Sequence, residues 1–363
     1  MTSDISSWTP SKEDLLIVGP SRWTGTAIIS DISTEGDRRL IEIGLAERLV
    51  LDKVDGVHSV DEIHNSLVAD GVNFDERKIL AILNKFAFYG AIKRPFAIDQ
   101  GTRGVDALAT LAPNTRLDQL TAAQSSRGIL TLWRRFKWLA NPAVLAVLAV
   151  VGIGSGVLLG FTFPNAVGTL ADATVVHLVI GVGVAILWSV LVTLVHENGH
   201  AALFNVHTGR EPYLALTRFG IILMPNTHMP GFSLMDTRSK VATIVTGPLI
   251  SMVFSAVPVA LFLLTDNPAI HAITAVCIVV DAVVIALGIM FFPNTDATRV
   301  LETIAAVDQI QAVAFRTLSR RYTLPKALPV KTRIAIRVYP VLLLSAIAIS
   351  LAVIVWAAWL ILN

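Results

Sequence analysis

The chain has 363 residues, of which 54% are hydrophobic and only 15% are charged. Soluble domains are about one quarter charged, so this composition excludes a protein that faces water along its whole length. The net charge of +2, without a basic tract interleaved with aromatic residues, gives no reason to expect a nucleic-acid partner, and a single cysteine excludes an internal disulfide and a cysteine-based metal site.

Acidic residues are concentrated at the N-terminal end of the chain. Sixteen of the 27 lie before residue 100, and the remaining 264 positions hold eleven. This split predicts a soluble domain over 1–96, a linker over 97–139 and a membrane domain after it. The polar opening MTSDISSWTPSKEDLL has no charged start followed by an apolar run, so we expect the first membrane helix to act as an internal signal.

The N-terminal domain has the pattern of a small α+β fold. RRLIEIGLAERLVLDKVDG predicts a strand or a short helix that ends in a turn at Asp55-Gly56. SVDEIHNSLVADG predicts a helix capped by Ser59 or Asp61 that ends near Gly71. DERKILAILNKFAFYGAI repeats apolar residues at helical spacing, which indicates a second helix with one buried face.

This helix-turn-helix, with an extended tail after it, has the outline of a winged helix. From near Trp23 to Pro95 it resembles the PqqD-like domains that bind leader peptides of ribosomally made, modified peptides. The resemblance implies a leader peptide as partner. A winged-helix dimerisation or regulatory domain is the alternative interpretation.

The linker becomes basic at its end, where Trp133 and Trp138 flank Arg134, Arg135 and Lys137. A cationic, tryptophan-flanked stretch before an apolar run is typical of a membrane interface. Five apolar runs follow, and each has close to the ~20 residues that a helix needs to cross a bilayer. We therefore predict a mainly α, polytopic membrane protein whose crossings lie at 142–163, 174–195, 242–264, 270–292 and 338–361.

The basic residues predict the orientation in the cell membrane. Those before the first crossing favour a cytoplasmic N-terminus, and counting crossings puts 196–241 and 293–337 on the same side. These two segments hold twelve Lys and Arg residues, whereas the opposite loops, 164–173 and 265–269, hold none. The charge pattern and the count of crossings therefore agree.

The second crossing ends in LVHENGHAALF, which contains the pattern HExxH. His196 and His200 are four residues apart, so on a helix they lie on one face and can bind one metal ion. Glu197 can then act as general base on a water that the metal activates, and zinc is the metal that this motif favours. Two histidines and a glutamate at the end of an apolar helix are costly unless they have a function. The alternative is a solvated helix end.

A catalytic zinc has three protein ligands and one open position. Asp296, in FFPNTDATRVL, follows the fourth crossing, and the topology brings it to the same membrane face as His196. Its alternative role is the N-cap of the following helix. His207 and His228 are weaker candidates for the third ligand. Asp281 lies fifteen helical residues before Asp296, or roughly 22 Å, so both cannot bind one ion.

Three motifs in this order resemble the site-2 protease family of intramembrane zinc metalloproteases. They are the HENGH helix, the Thr246-Gly247-Pro248 turn of TGPLIS, and the NTDA sequence that contains Asp296. The family pairs its HExxH helix with an aspartate from a motif similar to Asn-Pro-Asp-Gly. The resemblance, over roughly 174–305, implies that His196, His200 and Asp296 are zinc ligands and that Glu197 is the base.

Two departures from the family pattern affect the assignment of roles. Thr295 and Ala297 stand where the family has proline and glycine, so the backbone beside Asp296 is expected to differ. Ser251 stands where an asparagine follows the Gly-Pro turn, which leaves open the group that polarises the scissile carbonyl. We assign Asn294 to that role.

The whole arrangement resembles the peptide zinc metalloproteases of ribosomal-peptide gene clusters such as the daptide pathway. That resemblance implies removal of a leader from a precursor peptide, beside other enzymes of a modified-peptide pathway. Extended pieces such as YLALTRFGIILMP, in the loop 201–241, would pair with substrate backbone. The alternatives are regulated proteolysis of a membrane-spanning substrate, such as an anti-sigma factor, and a non-enzymatic metal-binding scaffold.

Overall fold

The computed structural model describes residues 9–13, 16–24, 27–34, 39–72, 74–93, 118–119, 132–219, 222–318, 323–326 and 328–362. The chain forms two compact units. The first comprises Met1–Gln124 with Ser233–Asp236, and the second comprises Ser125–Phe232 with Thr237–Asn363.

The first unit contains an antiparallel sheet of five short strands in the order β1-β3-β4-β5, with β2 also paired to β3. Within it, the guanidinium of Arg22 donates a 2.7 Å hydrogen bond to the buried carboxylate of Asp31, which gives that charge the partner it needs inside the fold. The strands are Leu16–Val18, Arg22–Trp23, Ile28–Thr34, Arg39–Gly44 and Asp118–Gln119.

The described part of this unit also contains the helices α1 (Leu45–Lys53), α2 (Val60–Ala69) and α3 (Glu76–Phe88). The sequence predicted a strand or a short helix for the segment RRLIEIGLAERLVLDKVDG. This segment forms both, because strand β4 is followed directly by helix α1. The hydroxyl of Ser59 caps α2 by accepting from the amide of Glu62, as the sequence predicted. A core of buried side chains joins the helices to the sheet, including Ile32, Ile43, Val50, Leu51, Ile63, Leu67, Ile79, Leu83 and Phe86.

The mixed α+β composition of this unit is therefore confirmed. The winged-helix interpretation, the PqqD-like resemblance and the cytoplasmic location stay predictions. Residues 94–96 of the predicted tail, and the predicted linker from 97 to 131 apart from 118–119, lie outside the described residues.

Among its described residues, the second unit contains five helices that are long and apolar enough to cross a membrane, as the sequence predicted. We therefore describe it as a multi-pass membrane domain. A 3-10 helix precedes the first of them, and the short helices α8 and α9 separate the last two. In chain order the elements are the 3-10 helix Leu132–Ala140, α4 (Pro142–Asp172), α5 (Val175–Thr208), α6 (Thr237–Leu264), α7 (Pro268–Ile289), α8 (Asp296–Ala305), α9 (Ile310–Thr317) and α10 (Val330–Leu362).

Helices α6 and α7 each pack against both α4 and α5 and against one another, and α10 packs against α4, α8 and α9. Leu159, Val259 and Ile278 are buried where α4, α6 and α7 meet. Large apolar side chains on the outer faces are exposed instead, such as Phe161 at 77% and Leu187 at 73%. A bundle with an apolar exterior is suited to contact with lipid chains.

An antiparallel hairpin connects α5 to α6. Its strands are β6 (Tyr213–Phe219) and β7 (Ile222–His228), and a short 3-10 helix, Phe232–Leu234, follows. The extended pieces predicted in the loop 201–241 are therefore present. Strand β7 also packs against α5, which brings the hairpin to the end of the helix that carries the HENGH motif.

Candidate metal centre

The histidine pair lies inside α5, which continues to Thr208 well past the end of its apolar run. One helical turn separates His196 from His200, so both rings project from one face. Their Nε2 atoms lie 3.0 Å apart, and His200 is only 5% exposed. The spacing that the sequence predicted therefore brings two imidazole nitrogens to one point.

Two groups on α6 hold these rings by their other nitrogens. The Nδ1 atom of His200 lies 2.7 Å from the backbone oxygen of Thr243, and Nδ1 of His196 is hydrogen-bonded to the Ser251 hydroxyl at 2.9 Å. A carbonyl oxygen only accepts, so Nδ1 of His200 must carry the proton. Its Nε2 lone pair is then free to bind a metal, which is the arrangement found around metal-binding histidines.

The first residue of α8 completes the cluster. One carboxylate oxygen of Asp296 lies 3.3 Å from Nε2 of His196, and the other lies 3.8 Å from Nε2 of His200. Zinc binds nitrogen and oxygen at about 2.0–2.2 Å, so neighbouring ligands in a tetrahedral site are about 3.4 Å apart. The two imidazole nitrogens lie 3.0 Å apart, and the Asp296 carboxylate places one oxygen 3.3 Å from the first and its other oxygen 3.8 Å from the second, which is close to the spacing that one such ion requires.

The predicted alternative role of Asp296 as a helix cap is wrong, because the side chain of Thr295 caps α8 by accepting from the amide of Thr298. The hydroxyl of Thr295 thus leaves the Asp296 carboxylate free to face the imidazoles. Burial opposes ionisation of that carboxylate, but the contact with His196 and the electrostatic influence of His200 and Arg299 outweigh burial and lower its pKa below the usual value. Asp296 is therefore an anion at neutral pH.

Glu197 belongs to the same group of potential ligands as the two histidines, with the ligand atoms of all three within 4.8 Å of one another. Strand β7 fixes its position. The Thr227 amide donates a 2.7 Å hydrogen bond to Oε2 of Glu197, and the Thr227 hydroxyl donates to the Glu197 backbone oxygen at 2.9 Å. Because this amide is directed at Glu197 and not at β6, the outer edge of β7 faces the glutamate.

The backbone of α6 passes against both imidazoles at Gly247. A Cβ atom added there would overlap Nε2 of His196 together with Nε2 and Cε1 of His200. The space that such an atom would fill is the space beside the two lone pairs. Glycine at this position, inside helix α6, is therefore required by the site.

Asn294 lies in the connection between α7 and α8, where its backbone is left-handed at a φ of 63° and its side chain is exposed. Its role in polarising a carbonyl stays a prediction. The two weaker candidates for the third ligand lie elsewhere. His207 is exposed near the end of α5, and the ring of His228 contacts that of Tyr213, with 4.6 Å between centroids.

Asp281 is buried within the bundle, where it accepts a 3.0 Å hydrogen bond from the indole nitrogen of Trp188. This contact agrees with the sequence prediction that Asp281 does not bind the same ion as Asp296.

Thr243, Ser251 and Thr227 were not identified from the sequence as parts of the site. A signal for two of them exists, since Thr243, Gly247 and Ser251 recur every four residues and so form one small, polar stripe on α6. No comparable signal marks Thr227, whose contacts depend on how the hairpin packs.

The cluster provides two neutral nitrogen ligands, one anionic oxygen ligand and a separate carboxylate beside them. This donor set suits a divalent cation with one coordination position left open, which is the composition of hydrolytic zinc sites. Comparison of the chain with protein-family models, with curated proteins and with solved structures gives no match.

Proposed function

We propose that this chain is a membrane-embedded zinc metalloprotease that hydrolyses a peptide bond. One observation carries the proposal: Nε2 of His196 and Nε2 of His200 on α5 lie 3.0 Å apart, each lies within 3.8 Å of an oxygen of Asp296 on α8, and Glu197 lies beside them. The hydrogen bonds to both Nδ1 atoms support it, because a surface histidine pair does not need such orientation.

When bound, zinc supplies a Lewis acid that polarises a carbonyl and lowers the pKa of water toward about 7. Glu197 acts as general base: it takes the proton from the attacking water as the carbon–oxygen bond forms. It then returns that proton to the departing amine as the carbon–nitrogen bond breaks. The Thr227 amide holds one Glu197 oxygen, which leaves the other to exchange the proton.

The position of β7 supports an extended peptide as substrate. Its outer edge faces Glu197, while β6 pairs with its other edge. The Thr227 amide is used by Glu197, so a substrate strand would pair with the part of this edge that precedes Thr227. Its backbone carbonyls would then lie beside the metal centre, and strand addition to a sheet edge is a common mode of peptide recognition. Backbone pairing also presents a scissile bond in the exposed, extended form that hydrolysis needs.

We propose removal of a leader from a ribosomally made precursor as the reaction, with the first unit capturing the leader, the N-terminus cytoplasmic and the metal site toward the cytoplasmic face of the cell membrane. The basic segments beside the site support this orientation. Regulated cleavage of a membrane-spanning substrate remains the second candidate, because α5 carries the site and is itself one of the candidate membrane-spanning helices.

The test is cleavage by the full chain in proteoliposomes, with a soluble peptide library and a single-span membrane protein as separate substrates and mass spectrometry of the products. We expect cleavage that 1,10-phenanthroline abolishes and added zinc restores. Cleavage of the soluble peptides alone supports leader removal, and cleavage of the spanning substrate alone supports the second candidate. Cleavage that resists the chelator, or no cleavage of either substrate after zinc loading, would contradict the proposal.

A further inference from the structure

The 3-10 helix Leu132–Ala140 divides its side chains among three faces. A 3-10 helix has three residues per turn, so residues three apart are eclipsed, and runs as long as nine residues are uncommon. One face consists of Trp133, Phe136 and Leu139, with Trp133 and Leu139 buried and Phe136 partly buried. The apolar spacing of three therefore matches the geometry of this helix and anchors it to the bundle.

The outward faces carry the positive charge. Arg134, Arg135 and Lys137 are exposed, and the Trp138 indole beside them is 57% exposed. The helix contains no acidic residue. Arg134 pairs with Glu211 at 2.9 Å. The exposed Lys137 has its ammonium 5.6 Å from the centre of the Trp133 ring, and Arg135 is exposed beside it.

The place of this helix in the fold puts those groups beside lipid. It leads through Asn141 directly into the apolar helix α4. Its Trp133 packs against Ala201 and Ala202, the two residues that follow the metal-binding His200. The helix thus lies where a candidate membrane span begins. It also lies at the end of α5 that holds the metal centre. Exposed tryptophan is typical of the headgroup level of a bilayer.

We propose that this helix is a binding surface for anionic phospholipid headgroups, such as phosphatidylglycerol. Arg135 and Lys137 bind the phosphate, and the Trp138 indole lies among the headgroups. The charge complementarity comes from two outward cations without a neighbouring acid on the same helix. Because Trp133 contacts the turn after His200, the bound lipid fixes the metal-binding end of α5 at the membrane surface.

The experiment measures tryptophan quenching by dibrominated phosphatidylglycerol and by dibrominated phosphatidylcholine in mixed vesicles, using the full chain. Subtracting the signal of a Trp138→Phe version of each variant isolates the quenching of Trp138. We expect the wild type to bind the anionic lipid in preference to phosphatidylcholine. In Arg135→Gln/Lys137→Gln the ratio of binding to the two lipids should fall by roughly thirtyfold, since each surface cation contributes about a factor of five to it.

The matched control is Arg316→Gln/Lys331→Gln, which removes the same charge from exposed positions on α9 and α10 and is expected to keep the preference. An equal loss of preference in the control would show that the lipid responds to the total surface charge and not to this helix, and it would overturn the proposal. A wild type without any preference for the anionic lipid would also overturn it. Displacement of the anionic lipid by excess inorganic phosphate would also overturn it, because it would indicate a site for free anions.

Discussion

Glu197→Gln is expected to leave the metal bound and to slow peptide hydrolysis by roughly two to four orders of magnitude, the usual contribution of a general base. Glutamine has the same shape and keeps an oxygen that can accept from the Thr227 amide, but it cannot take a proton from water. The measurements are the initial rate of cleavage and the zinc content of the same preparation.

The control is Glu211→Gln, which removes a negative charge from an exposed residue of the same unit that pairs with Arg134. It should cleave at the wild-type rate. Normal hydrolysis by Glu197→Gln would remove the general-base role from this residue. A loss of zinc along with activity would instead make Glu197 part of the metal-binding set.

The second large effect is expected from Gly247→Ala, which should lose most of its zinc and its activity. The added methyl group would overlap Nε2 of both His196 and His200, and the atoms that it meets on α5 belong to rings fixed by hydrogen bonds to Thr243 and Ser251. Alanine favours a helix over glycine by about 1 kcal/mol, so the effect would not come from a loss of helix propensity.

Gly154→Ala and Gly160→Ala are matched controls, because nothing lies within 4 Å of a Cβ added at either position on α4. Both should retain zinc and activity. The measurement is zinc per chain, with thermal unfolding of each variant recorded beside it. A Gly247→Ala protein with full zinc content and wild-type activity would contradict the close approach of α6 to the imidazoles.

The membrane helices were predictable because a helix in lipid is apolar around most of its circumference, and that signal does not depend on knowing its neighbours. The positions at which these helices end were less predictable. Helix α5 continues from the apolar run at 174–195 to Thr208 because its polar motif packs inside the protein. The hydropathy of a segment shows only that it can lie in lipid, and protein contacts decide where the helix stops.

The residues of the candidate site were also predictable only in part. The histidine spacing predicted two neighbouring imidazoles from helix geometry alone, and the count of crossings predicted Asp296 at the same end of the bundle. The hydrogen bonds that join Ser251 to His196 and Thr243 to His200 could not be predicted from the sequence, because they depend on the rotation of α6 about its axis. The Thr227 contacts depend on the packing of a hairpin that has no periodic signal of its own.

Local competition explains why the sequence left two roles open for Asp296 at the start of α8. Thr295 and Asp296 are both good capping residues, and the sequence does not show which of them caps the helix. The structure uses the threonine hydroxyl for the cap and directs the carboxylate at His196. Similarly, α2 was predictable from its capping box, whereas β1 and β2, only three and two residues long, were too short to give an alternating pattern.

The zinc content of the purified full chain, wild type beside Asp296→Ala, tests the metal centre most directly. If two imidazoles and this carboxylate surround one cation, the wild type should retain a single zinc per chain through dialysis, and the variant, with one of its three ligands removed, should lose it. Equal zinc in both proteins would show that Asp296 is not a ligand, and a wild type that never binds zinc would contradict the centre itself.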